Sequence, residues 1–113
     1  CGGGGNRPKE RRYNLGEIIG GSSDLSIITM DNPRFEEISS INNDIKVGLD
    51  KVGAKYIEII DRRDAIKYAC ENAQDGDLIL LVGKGHEEYQ DIKGVKYYFS
   101  ELDVIEEIKK SLK

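Results

Sequence analysis

Short apolar runs alternate along this chain with stripes of helical period, and that alternation restricts the fold more than any single motif. Leu25-Ser26-Ile27-Ile28-Thr29-Met30, Lys55-Tyr56-Ile57-Glu58-Ile59-Ile60 and Leu78-Ile79-Leu80-Leu81-Val82 each have the length of a strand. The third run is almost continuously apolar, which predicts a strand covered on both faces. Ahead of the first run, Leu15, Ile18 and Ile19 predict a short helix over 12–20, ended by Gly20-Gly21. After it, Phe35, Ile38, Ile41 and Ile45 predict a helix from about 35 to 50, with Pro33 fixing φ for its first turn. Asp61 is placed to cap a third helix over 62–74, whose stripe is Ala65, Ile66, Ala69, Cys70 and Ala73. Residues 88–92 and 95–99 predict a hairpin across Lys93-Gly94, and Ser100 with Asp103 predicts a capping box opening a last helix over 101–112. The order α-β-α-β-α-β-(β-β)-α predicts an α/β fold, a largely parallel sheet flanked by helices, in one domain spanning 1–113.

Composition narrows the function classes. A net charge of −4 argues against a nucleic-acid-binding surface. The longest apolar run, Leu78 to Val82, is too short to span a bilayer, and no secretory leader pattern opens the chain, so a cytoplasmic protein without membrane association is expected. Cys70 shares a helical face with Ile66 and Ala73, which reads as a buried free thiol. With one histidine and no Cys-x-x-Cys, no metal site is expected.

Two loops follow predicted strands at their carboxyl ends, the place where open α/β sheets bind ligands. Asp31-Asn32-Pro33-Arg34 concentrates acceptors and donors, and the planar fork of Arg34 suits a carboxylate. Gly83-Lys84-Gly85-His86-Glu87 adds glycines that permit close approach, a carboxylate for an ammonium group, and cations for an anion. It is not a Walker A loop, which needs four residues between its glycines and Ser or Thr after the Lys, and no helix pattern follows it directly. Taken alone, the first loop reads equally as a helix start with a surface Arg, and the second as a sharp turn with solvated charges. The opening Gly2 to Gly5 reads either as a phosphate-approach loop or as a linker.

Taken together, these segments resemble the carboxyl-terminal domain of the Mur ligases, of the type that adds the third residue of the peptidoglycan stem peptide. The residues that carry the resemblance are Cys1-Gly2-Gly3-Gly4-Gly5-Asn6-Arg7, Arg11-Arg12-Tyr13-Asn14-Leu15-Gly16, Asp31-Asn32-Pro33-Arg34, Asp61-Arg62 with Ala65-Ile66, Gly76-Asp77, and Gly83 to Glu87 with Tyr89-Gln90. They run colinearly from Cys1 to about Glu107. The resemblance implies that the glycine opening is native and the fold Rossmann-like. It also implies an ATP-dependent amide-forming ligase that uses ATP and Mg2+, mainly outside this segment. In such ligases a carboxylate activated as an acyl phosphate is attacked by the amine of an incoming amino acid.

Asp-Asn-Pro-Arg is the version associated with meso-diaminopimelate. Carried over residue by residue, Arg12, Asp31, Asn32, Pro33, Arg34, Gly83 and Glu87 are implied to form its pocket, with no catalytic residue in this segment. Arg12 and Arg34 would hold the distal carboxylate, while Asn32, the Gly83 backbone and Glu87 would bind the distal carboxylate and ammonium. The other substrate, the UDP-MurNAc dipeptide, would be held by domains outside 1–113. Arg11 and Tyr13 depart from the usual Lys and Pro, and Pro8-Lys9-Glu10 replaces a usual Asp-containing stretch. The resemblance further implies a uridine-binding domain, a P-loop domain and a strand ahead of Cys1. Apart from the family, a free-standing binding module for a zwitterionic amino acid is the competing expectation. A nucleotide-binding Rossmann-like domain is a third, with neither a true G-x-G-x-x-G nor its acidic ribose partner in its favour.

Overall fold

In the computed structural model, which describes residues 1–84 and 87–111, helices flank a short parallel pair of strands. Helix α1 (Lys9–Ser22) leads to β1 (Ser26–Ile28), α2 (Ile38–Lys51) and β2 (Tyr56–Glu58). Helix α3 (Arg62–Asn72) follows, then the hairpin β3 (Tyr89–Ile92) and β4 (Val95–Tyr98), and α4 (Glu101–Ser111). The fold is α/β. Strands β1 and β2 pair in parallel with Ile27 opposite Ile57, whereas β3 and β4 pair antiparallel with Tyr89 opposite Tyr98. The other edge of β1 is met by Cys1, whose N donates to Ile27 O at 2.8 Å while Thr29 N donates to Cys1 O at 2.7 Å.

Two apolar clusters form. Ile28, Ile41, Ile45 and Leu49 are fully buried between β1 and α2, with Leu15, Ala54 and Tyr56 packed around them. Ile66, Val104 and Ile108 form the second cluster between α3 and α4, joined by Cys70, Leu81, Phe99 and Ile105. Cys70 is half-buried there, a free thiol at the cluster's edge. Glycines let α1 and α2 cross closely, since a Cβ at Gly48 would lie 2.1 Å from Tyr13 O and one at Gly16 2.2 Å from Ile45 O. No Cβ fits there without parting the helices.

Local signals hold where their partners are local. Asp61 caps α3, its Oδ1 accepting from Asp64 N at 3.0 Å. Lys93 and Gly94 both take positive φ, as a two-residue primed turn requires. Asp103 N donates to Ser100 Oγ at 3.3 Å, but the Asp103 carboxylate accepts from the Tyr98 hydroxyl instead of closing a capping box. The end of the 101–112 helix at Leu112 lies outside the described residues.

Three expectations need correction. Helix α1 runs through Gly20-Gly21 to Ser22, because Gly20 sits against Ala54, Leu49 and Val52, and a close tertiary contact there outweighs glycine's poor helix propensity. Pro33 does not open α2, which begins only at Ile38. Arg34 has φ of +53°, and its backbone is taken by β3, with Arg34 N donating to Asp91 O at 2.9 Å and Lys93 N to Arg34 O at 2.6 Å. Leu78–Val82 is not a strand, and Leu78 and Leu80 are 82% and 70% exposed. An apolar run becomes a strand only when another strand supplies ladder partners, and among the described residues nothing pairs with it. The strands that form are also shorter than their apolar runs, three residues each in the parallel pair.

Candidate functional site

The site is built where the chain leaves β1 and meets the segment before β3. Met30 ends the strand with its N bonded to Ile60 O at 3.1 Å, so Asp31 to Arg34 are held from their first residue. Gly5 N donates to Asn32 O at 2.7 Å, which lays the glycine opening over this loop. A Cβ at Gly5 would lie 1.7 Å from Pro33 O and one at Gly2 2.5 Å from Thr29 O, so these glycines exist for contact with the protein's own backbone. The opening is structural, not a linker.

Lys84 forms the centre of the cluster. Its side chain is fully buried, with Nζ 2.9 Å from Asp31 Oδ1, 3.1 Å from Asn32 Oδ1 and 2.6 Å from Tyr89 O. Asn32 Oδ1 also accepts from Asp91 N at 2.9 Å, while its Nδ2 donates to Glu87 Oε1 at 3.2 Å. Glu87 itself is half-buried. The expectation that Lys84 would meet an anionic ligand is corrected here, because its side chain is fully buried, donating to Asn32 and Tyr89 and paired with the protein's own Asp31. Gly83 takes φ of +111° beside Asp31, where a Cβ would come 3.0 Å from Asp31 Oδ2. Gly85 and His86 lie outside the described residues.

Arg34 is half-buried and points its Nη1 toward Gly5 O and Asn32 O at 3.3 and 3.4 Å, with no carboxylate partner among the described residues. The left-handed backbone of a residue bearing a Cβ costs roughly 1–2 kcal/mol.

Arg12 is placed differently. It is 2% exposed, and both terminal nitrogens are committed, Nη1 to Asp44 at 2.8 Å and Nη2 to Glu36 at 2.6 Å and Gly4 O at 3.1 Å. The Arg12 hydrogen bond holds the Glu36 carboxyl below the usual glutamate range, helped by Asn6 N. Glu36 and Asp44, 24 and 32 residues away, carried no signal in the sequence.

A cavity of about 240 Å3 opens between the glycine segment, the start of α1 and Gly83, with Arg7, Arg11, Arg12 and Asp31 on its walls. Of the residues singled out in the sequence, Arg12, Asp31 and Gly83 line it. Asn32 and Glu87 gather with Asp31 around Lys84, while Arg34 reaches the Gly5 and Asn32 carbonyls. Pro33 is buried beneath Gly5.

Sequence and structure comparisons decide the family. Residues 1–85 match the family described as Mur ligase, glutamate ligase domain. The chain belongs to the Mur ligases. Among relatives, it is 51% identical over 108 residues to the UDP-N-acetylmuramoyl-L-alanyl-D-glutamate--2,6-diaminopimelate ligase of Bacteroides fragilis, covering 95% of this chain and 22% of that protein. The enzyme of the same name from Aquifex aeolicus is 50% identical over 107 residues, with the same coverage. A solved structure of a ligase of this name superposes with a TM-score of 0.92 at 38% identity, covering 99% of this chain and 23% of that one. The chain therefore spans about a fifth of the length of the curated relatives it matches. Arg62 ties the segment leading into the Asp31–Arg34 loop to the segment leading into Gly83 and Lys84. Its guanidinium donates to Met30 O and Val82 O, each at 3.2 Å, and pairs with the buried Glu101 at 3.2 Å. Sequence reading missed that role, although a basic residue directly after the Asp61 cap was visible.

Proposed function

We propose that this domain holds meso-diaminopimelate for an ATP-dependent ligase that joins it to UDP-MurNAc-L-Ala-D-Glu in cytoplasmic peptidoglycan synthesis. The observation that carries the proposal is the convergence of Asp31, Asn32 and Glu87 on one buried lysine beside an Arg34 without a carboxylate partner among the described residues. Such a site offers a guanidinium fork for a second carboxylate and a carboxylate for the ammonium on the same carbon. Lysine lacks that carboxylate and would leave Arg34 unmatched, a penalty that contacts along the methylene chain cannot offset. The relatives' shared name supports the same substrate.

Within this reading, Arg34 binds the distal carboxylate, Asn32 and Glu87 orient the distal ammonium, and the Gly83 backbone, at a positive φ that suits glycine, lets the ligand approach. Pro33 stiffens the loop, and Asp31 keeps Lys84 in place. Arg12 acts on the pocket by fixing Gly4 and Glu36 through its internal pairs. ATP supplies the activating phosphoryl group. Gly2 and Gly5 pack on the Thr29 and Pro33 backbone. On the family's pattern, nucleotide and Mg2+ are assigned mainly outside this segment.

The test uses the full-length polypeptide with ATP, Mg2+ and UDP-MurNAc-L-Ala-D-Glu, offering meso-diaminopimelate or L-lysine and weighing the product by mass spectrometry. A diaminopimelate adduct formed at least a hundredfold more efficiently than a lysine adduct is expected. Equal or preferred use of lysine overturns the substrate assignment. Diaminopimelate binding with no adduct would reduce the protein to a binding module.

A further inference from the structure

We infer that Lys84 is a positioning residue for amino-acid recognition, setting the sense of the Asn32 amide without itself touching the ligand; the inference rests on the diaminopimelate reading above. An asparagine side chain presents oxygen on one side and NH2 on the other, and its neighbours decide which way it lies. Here Asn32 Oδ1 faces two groups that can only donate, the Lys84 ammonium at 3.1 Å and Asp91 N at 2.9 Å. The NH2 end is thereby fixed toward Glu87 Oε1 at 3.2 Å.

The second consequence concerns charge. Lys84 Nζ contacts Asp31 Oδ1 at 2.9 Å and lies 3.9 Å from Glu87 Oε1, so one buried cation stands between two carboxylates of the loops. Its remaining reach goes to Tyr89 O at 2.6 Å, at the start of β3. The ammonium donates to Asn32 Oδ1 and Tyr89 O, pairs with the Asp31 carboxylate, and its side chain is fully buried, so it is not presented to a ligand. What it supplies is geometry, since Glu87 is steered by the Asn32 amide on one oxygen and keeps its other oxygen for an ammonium. Without Lys84, the Asn32 oxygen keeps only the Asp91 N donor, and the amide is held less firmly in the sense that turns its NH2 to Glu87.

Full-length enzyme carrying Lys84→Met, Asn32→Ala or both distinguishes this role from simple support of the fold. KM is measured for meso-diaminopimelate, ATP and UDP-MurNAc-L-Ala-D-Glu, alongside the thermal midpoint. Lys84→Met is expected to raise KM for diaminopimelate at least tenfold while the other two KM values stay within twofold. Because Lys84 acts through Asn32, the double variant should be no more than about twofold worse than the poorer single one. A lowered midpoint with an unchanged KM for diaminopimelate overturns the inference, as do losses that multiply in the double variant. Should Lys84→Met not accumulate as folded protein, Lys84→Arg decides. A rise of threefold or more confined to diaminopimelate supports the positioning role, and an unchanged value overturns it. Wild-type enzyme that adds no diaminopimelate overturns the functional reading and this inference with it. Wild-type enzyme that adds it, matched by Lys84→Met, overturns only the role of Lys84.

Discussion

Leu25–Met30 is less apolar than Leu78–Val82, yet its Ile28 is fully buried whereas Leu78 and Leu80 lie open. The first run has β2 bonded along one edge and Cys1 on the other, with α2 packed over it. The second has α3 and α4 beneath Leu81 and no ladder partner among the described residues. Hydrophobicity brings a segment toward a core, but the backbone must also be satisfied before it becomes a strand. The exposed run is tethered where it ends, by the Arg62 bond to Val82 O, and that same side chain bonds Met30 O at the end of the buried run.

Arg62 is therefore the tie between the two regions, and breaking it should give the largest loss. Removing one partner of a buried, hydrogen-bonded ion pair typically costs about 3–5 kcal/mol, so Arg62→Leu should lower the unfolding free energy of the 113-residue chain by that amount. Denaturant titration checks it, and a loss under about 1 kcal/mol would mean that the two regions stand independently.

The contrast between the runs themselves is sharpened by smaller changes. Ile45→Val, in the cluster over β1, should cost about 0.5–1.5 kcal/mol as a buried methylene is lost. Leu80→Asn in the open run should stay within about 0.5 kcal/mol. Equal costs for the two, measured side by side by chemical denaturation, would break the comparison.

The smallest expected effect is a pH dependence on the β1 side. The Arg12 hydrogen bond depresses the Glu36 carboxyl, so its contribution is complete above the unfolded glutamate value of about 4.3 and is lost as pH falls through the lower folded value. Glu58 follows the same sign, because hydrogen bonds from Lys46 and Asn42 outweigh the upward push of burial. Glu36→Gln should lower stability near neutrality and flatten the profile below about pH 4, where the two proteins converge. An unaltered acid slope would show that the Arg12 pair adds nothing.

Which parts were legible in sequence follows from the distance between partners. Asp61 and Asp64 sit three residues apart, and Lys93-Gly94 makes a complete turn by itself, so both were readable. The α/β alternation was readable because each helix stripe is local. Leu78–Val82 was misread because periodicity cannot report whether a neighbouring strand exists. Pro33 was misread because the conformation of Arg34 is decided by Asp91 and Lys93, nearly sixty residues on. Asp31, Asn32, Arg34 and Glu87 were singled out by type and by position after predicted strands, and Arg12 only by the family resemblance, but their arrangement was not legible. The commitment of Arg12 to Glu36 and Asp44, and of Lys84 to Asn32, depends on contacts that no local pattern encodes.

The central claim is that Arg34 reads a second carboxylate, and the most direct measurement is kcat/KM for meso-diaminopimelate and for L-lysine in full-length enzyme with Arg34→Lys and Arg34→Ala. Lysine at this position keeps the Cβ, the backbone strain and the charge, so only the planar fork is lost. Leaving a buried carboxylate without its partner costs about 2–5 kcal/mol, so Arg34→Lys should lose more than about tenfold on diaminopimelate, close to the loss of Arg34→Ala. The rate with L-lysine should hardly change, and discrimination between the two amino acids should shrink accordingly. Small and equal effects on both would contradict the account and leave Arg34 as a surface residue beside a loop.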